Sequence, residues 1–237
     1  MAANQGLLVA PALVVVVGVA VGLGGPALLR RLPEPVPPAD ADDDTRSDYL
    51  TKISYRSLAT GRFGLITGLV AAALTAVAVL TQPPGYWAVW AVVGTIGVLL
   101  AAVDAITTWL PSPAMRLGWV AGAVAVLACL AADPDRIAMA IRIGGSVLIA
   151  GGGYLLLWMI TRGRAIAFGD VRLMPLIGAV AGTMGWAGLY WSLLLGSLIG
   201  AVIGVVWLTT GRRGPFPYGP ALVSGPYAAA VLISVLQ

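Results

Sequence analysis

The 237-residue chain contains no histidine and a single cysteine, Cys129, which lies in an apolar run. One cysteine cannot form an internal disulfide, and histidine and cysteine are the commonest ligands of structural zinc. The composition therefore excludes a disulfide framework and argues against a bound metal. Charged residues are also scarce, at 10% of the chain, which is too little polar surface for a soluble domain of this length.

Apolar sequence is abundant instead, with 59% hydrophobic residues and a mean hydropathy of +0.93. An α-helix needs roughly 20 apolar residues to cross a bilayer. Eight runs approach that length, the sixth and eighth being short: about 7–29, 63–80, 86–110, 115–132, 137–160, 172–186, 187–209 and 221–236. We therefore expect an all-α polytopic membrane protein of about eight transmembrane helices, with residues 1–237 forming a single membrane domain.

Lysine and arginine are distributed unevenly between the two sides of this predicted bundle. Twelve of the fourteen basic residues lie in or beside connections 1–2, 3–4, 5–6 and 7–8, whereas Arg136 and Arg142 lie on the other side. Under the positive-inside rule, those four connections are cytoplasmic and both termini lie outside. The net charge of +4 thus reflects membrane orientation, and we expect membrane lipids but no nucleic acid as partners.

The first cytoplasmic connection, residues 30–62, is the only long one. Its front half is rich in proline and aspartate, which predicts a flexible linker with a short helix over about 48–60. The acidic run at 40–44 either is a plain solvated linker or attracts the basic leader of a substrate peptide.

Two acidic residues, Asp104 and Asp170, lie against the predicted spans, whereas the other eight fall in connections. An ionisable side chain at membrane depth costs roughly 2.5 to 3.5 kcal/mol, so it usually has a function. Both aspartates belong to the same predicted side of the membrane. A pair of carboxyls there could share a proton and activate water, or could relay protons in a transporter. Either aspartate could instead merely cap a helix end.

Neighbouring residues are consistent with a built site around each aspartate. Thr107 and Thr108 follow Asp104 by three and four residues, so a hydroxyl could reach its carboxyl on the same helix face. Pro111 should stop that helix soon afterwards. Gly169 leaves the backbone beside Asp170 bare, which permits a substrate strand or a facing helix to approach.

Three segments then carry a resemblance to a known family. Asp104 opens DAITTWLPSP, Asp170 closes AFGD before VRL, and the last connection reads PFPYGPALVSGPYAA. Together these segments resemble the type IV prepilin peptidases, which are bacterial leader peptidases of the GxGD aspartyl class. The matching positions are Asp104 with Pro111, the run from Gly169 to Leu173, and Pro217, Gly219 and Pro220.

The chain departs from the family pattern at two places. Ala167 stands where the GxGD signature has its first glycine, and residues 30–62 lack the four-cysteine metal-binding insertion that many members carry. That insertion is linked to N-methylation of the processed pilin. The resemblance therefore implies the protease reaction without a cofactor or metal, and does not extend to the methyltransferase activity.

The resemblance implies a multi-pass protein of the bacterial plasma membrane that removes a short basic leader from prepilin or pseudopilin substrates at the cytoplasmic face. Asp104 and Asp170 would be catalytic. We expect Asp170 to be the ionised base, because it precedes a helix and has Arg172 nearby, and Asp104, late in its helix, to be the protonated acid. The alternatives are another GxGD intramembrane protease, since Pro220-Ala221-Leu222 resembles the PAL triplet of presenilin-like proteases, and a proton-coupled transporter.

Overall fold

A computed structural model describes residues 2–37, 39–40, 43–211 and 216–236, which form helices and no β-strand. Helix α1 runs through Ala2–Val19, a π-helical turn at Ala20–Gly24 and Gly25–Leu29. The others are α2 (Asp43–Thr51), α3 (Tyr55–Leu58), α4 (Gly61–Thr81), α5 (Pro84–Thr107), α6 (Ser112–Ala132), α7 (Arg136–Thr161), α8 (Phe168–Thr183), α9 (Gly185–Thr209) and α10 (Gly219–Leu236).

The prediction of an all-α polytopic membrane protein is confirmed. Seven of the described helices, α1, α4, α5, α6, α7, α9 and α10, are long and apolar enough to cross a membrane. The sixth predicted span corresponds to α8, which has only 16 residues and a length of about 24 Å. That helix nevertheless runs along most of the bundle.

Helix α8 packs antiparallel to α7 and is the most deeply buried helix of the bundle. Its glycines allow close approach: a Cβ at Gly178 would lie 2.9 Å from the Cα of Val147, and one at Gly182 would lie 2.7 Å from the Cα of Ile143. Beside Gly182, at the last residue of α8, Trp90 of α5 donates from Nε1 to Thr183 Oγ1 at 3.2 Å. Helix α8 is thereby placed between α5 and α7.

Two predicted helix boundaries are wrong in a way that affects the aspartates. The sixth span begins at Phe168, not at 172, so Asp170 is the third residue of a helix and does not precede it. The third span ends at Thr107, not at 110. Asp104 therefore lies one turn from the end of α5, at the end of the bundle where α8 and α10 begin. We call this the aspartate end.

The back half of the connection over residues 30–62 packs against the bundle, whereas the flexibility of its proline- and aspartate-rich front half stays a prediction. Helix α3 buries Tyr55 and Leu58, and Arg30 Nη2 donates to the carbonyl oxygen of Ala59 at 3.1 Å. The single short helix expected over 48–60 is instead the pair α2 and α3. Asp42, the side chains of Asp44 and Asp48, and the basic residues Arg212 and Arg213 lie outside the described residues.

Candidate active site at the aspartate end

Asp104 is 4% exposed and projects from the last turns of α5 toward the start of α10. The backbone N–H of Gly219 donates to Asp104 Oδ2 at 2.8 Å. Gly219 is the first residue of α10, where backbone N–H groups have no partner within the helix and the helix dipole favours negative charge. A Cβ at Gly219 would lie 2.9 Å from Asp104 Oδ2, so only glycine fits this contact without a shift.

Asp170 is 5% exposed and lines a cavity of about 760 Å³. The cavity lies between α7 and α9, and its wall consists of Tyr154, Leu157, Gly163, Arg164, Ala165, Ile166, Ala167, Asp170, Ser197, Gly200, Ala201, Phe216 and Tyr218. Tyr154 lies seven residues before the end of α7, which corresponds to about 10 Å along the helix. Asp170 is therefore recessed below the ends of the neighbouring helices.

The two aspartates, far apart in sequence, lie near each other. The Asp104 carboxylate acts electrostatically on that of Asp170, although Asp104 does not contribute to the cavity wall. Tyr218, which does line the cavity, immediately precedes the Gly219 that holds Asp104. The loop before α10 thus connects the cavity to the Asp104 carboxyl.

A second link between the aspartates runs through the loop after α5. The side chain of Leu110 packs against the backbone at Gly169, where a Cβ would lie 3.0 Å from Leu110 Cδ1. The group that approaches Gly169 is therefore a side chain of the loop after α5, and approach by a substrate strand stays a prediction. Leu110 follows Asp104 by six residues, and Gly169 adjoins Asp170. The contact between the loop and the start of α8 therefore links the backbone segments that carry the two acidic residues.

The threonines after Asp104 do not contact its carboxyl as expected. Thr107 Oγ1 donates to the carbonyl oxygens of Val103 at 2.9 Å and Trp109 at 3.1 Å, and it accepts the Trp109 N–H at 3.1 Å. Thr108 Oγ1 donates to the carbonyl oxygen of Thr107 at 2.7 Å. Both hydroxyls therefore shape the loop backbone and do not polarise Asp104.

Pro111 also differs from its predicted role. Helix α5 ends at Thr107, four residues earlier, and the next residue, Thr108, has a φ of 54°, in the left-handed region. Pro111 is the residue that precedes α6, and its carbonyl oxygen accepts the Met115 N–H at 3.0 Å. Of the predicted residues in the last connection, Pro217 and Gly219 are buried and Pro220 is half-buried.

Arg172 does not accompany Asp170. Its Nη1 donates to Ser112 Oγ at 2.7 Å, and its guanidinium carbon lies 5.6 Å from the centre of the Trp119 ring. The only ion pair among the residues that the structure describes joins Lys52 to Glu34. The charge of Arg172 therefore cannot be used to assign the ionised member of the pair to Asp170.

Sequence reasoning missed four polar residues of the cavity wall, Tyr154, Arg164, Ser197 and Tyr218. Tyr154, on α7, interacts electrostatically with Asp170 and through its side chain with Tyr218 and Ser197. Tyrosines in membrane helices commonly serve as interfacial anchors, so the sequence held no signal that Tyr154 faces a carboxyl. The pattern of α9 likewise did not single out Ser197 from its other small residues.

Comparison with known proteins finds similarity to one kind of enzyme. The chain is 33% identical over 99 residues to a "Prepilin leader peptidase/N-methyltransferase" of Aeromonas salmonicida, which covers 38% of this chain and 33% of the relative. Proteins of the same description from Pseudomonas aeruginosa and Stutzerimonas stutzeri are 34% and 33% identical over 87 residues, or 32% of this chain and 29% of each relative.

The match is partial on both sides. The chain spans about a third of the length of these curated relatives. No family model matches the chain, and no solved structure matches it. The similarity supports the resemblance seen in the motifs, while the chain's own activity rests on the arguments that follow.

Proposed function

We propose that this protein is a membrane aspartyl endopeptidase that removes the short basic leader from type IV prepilin-like or pseudopilin substrates. The observation that carries the proposal is the pair of buried carboxyls at the aspartate end, one of which lines a cavity of about 760 Å³. The cavity lies between helices and below their ends, where a peptide that enters from the membrane surface could reach Asp170, with Asp104 behind the loop that precedes α10. The names of the partial relatives support the same reaction and substrate class.

The reaction needs two proton transfers. A water molecule attacks the scissile carbonyl carbon while one carboxylate accepts a proton from that water, and the resulting tetrahedral intermediate collapses when the other carboxyl donates a proton to the leaving amide nitrogen. The C–N bond breaks, and one new carboxyl and one new amino terminus form. Two nearby aspartates in a site of low polarity can carry out both transfers, because repulsion disfavours ionisation of both at once.

We assign the charge of the singly ionised pair to Asp104, which reverses the expectation from the sequence. The Gly219 N–H donates directly to Asp104 and stabilises a negative charge on it. The positive ends of α10 and α8 lie beside Asp104 and Asp170 respectively, so the helix dipoles do not distinguish the two carboxyls. Arg172, which was expected to stabilise a charge on Asp170, contacts Ser112 and Trp119 instead. Asp104 would accept the proton of the attacking water, and Asp170, in the cavity wall, would donate to the leaving group.

We place the aspartate end at the cytoplasmic face of a bacterial plasma membrane. The connections at this end carry most of the lysine and arginine residues of the chain, and such connections are usually cytoplasmic. A cysteine introduced into the 30–62 connection tests this orientation, because a reagent that cannot cross the membrane should label it only after the cells are opened. Labelling of that cysteine in intact cells would contradict the orientation.

Asp104→Asn and Asp170→Asn test the reaction. Each variant keeps the shape of the side chain but can neither accept nor donate the required proton, so leader cleavage by purified protein should fall by orders of magnitude. Asp135→Asn is the matched control, because Asp135 is exposed at the opposite end of the bundle, where it caps α7. Cleavage at the wild-type rate by either active-site variant would refute the proposal and favour a proton relay.

Infrared spectra of the same two variants test the charge assignment. If Asp104 carries the charge, the carboxylate band of the pair near neutral pH should be lost in Asp104→Asn and retained in Asp170→Asn. The opposite pattern would restore Asp170 as the base. Because the two groups titrate together, the spectra should be compared with that of the wild type at several pH values.

A further inference from the structure

Lys52 is a lysine whose side chain is buried, in a connection that the sequence predicted to be a flexible linker. The side chain is 3% exposed, and its Nζ lies 3.1 Å from Glu34 Oε2. A buried ammonium is costly unless its charge is paired and its donors are satisfied. The contacts around Lys52 provide that compensation and connect it to the candidate active site.

Two aromatic rings surround the ammonium besides Glu34. Nζ lies 3.6 Å from the ring centre of Tyr55 and 6.0 Å from that of Trp109, both within the range of cation–π attraction. Tyr49 contacts the other side of the cluster, with its ring centre 4.5 Å from that of Trp109 in an edge-to-face arrangement. Burial, and next the charge of Glu34, raise the pKa of the Tyr55 hydroxyl, so Tyr55 stays neutral. Among the side chains that the structure describes, Glu34 is the acidic partner of the lysine.

Trp109 belongs to the loop after α5, which begins four residues after Asp104 and packs against the residue before Asp170. It follows Thr108, a β-branched residue at φ 54°. A non-glycine residue in this region costs about 1 to 3 kcal/mol and persists only where its surroundings enforce it. On one side of Trp109, the Thr108 N–H donates to the carbonyl oxygen of Asp104 at 2.8 Å. On the other side, Leu110 packs on Gly169, next to Asp170.

We propose that Lys52 is a positioning residue: with Glu34, Tyr49 and Tyr55 it clamps Trp109 and thereby sets the position of Asp104 relative to Asp170. The clamp joins the connection over residues 30–62 to the active-site loop without a metal or a disulfide. It supplies the external contacts that the strained turn at Thr108 needs. The role in positioning rests on the proposed function, whereas the clamp itself is a structural claim.

The structural claim is tested without any substrate. In Lys52→Met, hydrogen exchange of the amides of Trp109 and Leu110 should become roughly tenfold faster, because the cation–π and ionic contacts that hold the ring are lost. Lys52→Arg keeps the cation and should restore slow exchange. Arg56→Met is the matched control, since Arg56 is an exposed basic residue of the same connection and its removal changes the net charge equally.

The role in positioning is tested by kinetics on a prepilin-type peptide. Lys52→Met should lower kcat about 10- to 100-fold with little change in KM, because a misplacement of about 1 Å between catalytic groups costs that much while substrate contacts remain. The dependence of kcat on pH should also change shape, since the two carboxyls would no longer interact at the same separation. Arg56→Met should match the wild type, and Lys52→Arg should recover most of the rate.

The outcomes separate this inference from the proposed function. Wild-type exchange at Trp109 in Lys52→Met overturns the clamp, whatever the enzyme does. Faster exchange together with an unchanged kcat and pH profile overturns the role in positioning. Absence of cleavage by the wild-type protein refutes the proposed function and leaves the exchange result valid. A rate that falls only in proportion to the folded fraction, with an unaltered pH profile, also overturns the role in positioning.

Discussion

The backbone N–H of Gly219 lies 2.8 Å from Asp104 Oδ2, so the start of α10 directly orients a carboxyl on α5. The two residues are separated by 115 positions in the chain. This contact brings the proline- and glycine-rich last connection into the candidate active site.

Gly219→Ala should lower cleavage about 10- to 100-fold. The added Cβ would lie 2.9 Å from Asp104 Oδ2 and 3.2 Å from Asp104 Cβ, so the carboxyl or the start of α10 must move. The measurement is kcat of the purified variant. Gly24→Ala is the control, because a Cβ at Gly24 of α1 meets nothing within 4 Å, and an equal loss in both variants would contradict a local effect.

Gly169→Ala should reduce cleavage several-fold, and Leu110→Ala should partly restore it in the double variant. A Cβ at Gly169 would lie 3.0 Å from Leu110 Cδ1 and 3.3 Å from Leu110 Cβ, and truncation of Leu110 removes the first of these atoms. A double-mutant cycle on kcat measures the coupling between the two sites. Strictly additive effects would show that Leu110 does not transmit the change at Gly169 to the site.

Gly178→Ala should destabilise the protein by about 1 to 3 kcal/mol, because overpacking a tight helix contact forces the backbones apart. The new Cβ would lie 2.5 Å from the carbonyl oxygen of Ser146, an atom of the α7 backbone that cannot rotate away. Unfolding in detergent measures the change in free energy. Gly152→Ala, on the open side of α7 where nothing lies within 4 Å, should leave stability unchanged or raise it.

If the protein is the proposed peptidase, chelators should leave cleavage unchanged, and the product should have an unmethylated N-terminus when the protein acts alone. The chain has no histidine, one cysteine and no cysteine in the 30–62 connection, so the ligands for the metal-binding insertion of many related peptidases are missing. Intact-mass measurement of the processed substrate, with S-adenosylmethionine present, decides the point. A mass increase of one methyl group would show that methylation does not require that insertion.

The sequence alone determined the class of the protein and the identity of its candidate catalytic residues. Long apolar runs can satisfy their backbone polar groups in lipid only as helices, so an all-α bundle followed directly from composition. The high cost of a carboxyl at membrane depth singled out Asp104 and Asp170. Both conclusions depend on local chemistry, which can be read from a single chain.

Tertiary structure decided how those residues are surrounded. Helix boundaries near Asp170 depend on packing of α8 against α7, which local propensity does not encode. The partners of Arg172 and Lys52 lie on segments that are distant in the chain, so local sequence cannot identify them. The contact between Gly219 and Asp104, like the burial of Lys52 against Trp109, exists only because separate helices end at the same place in the bundle.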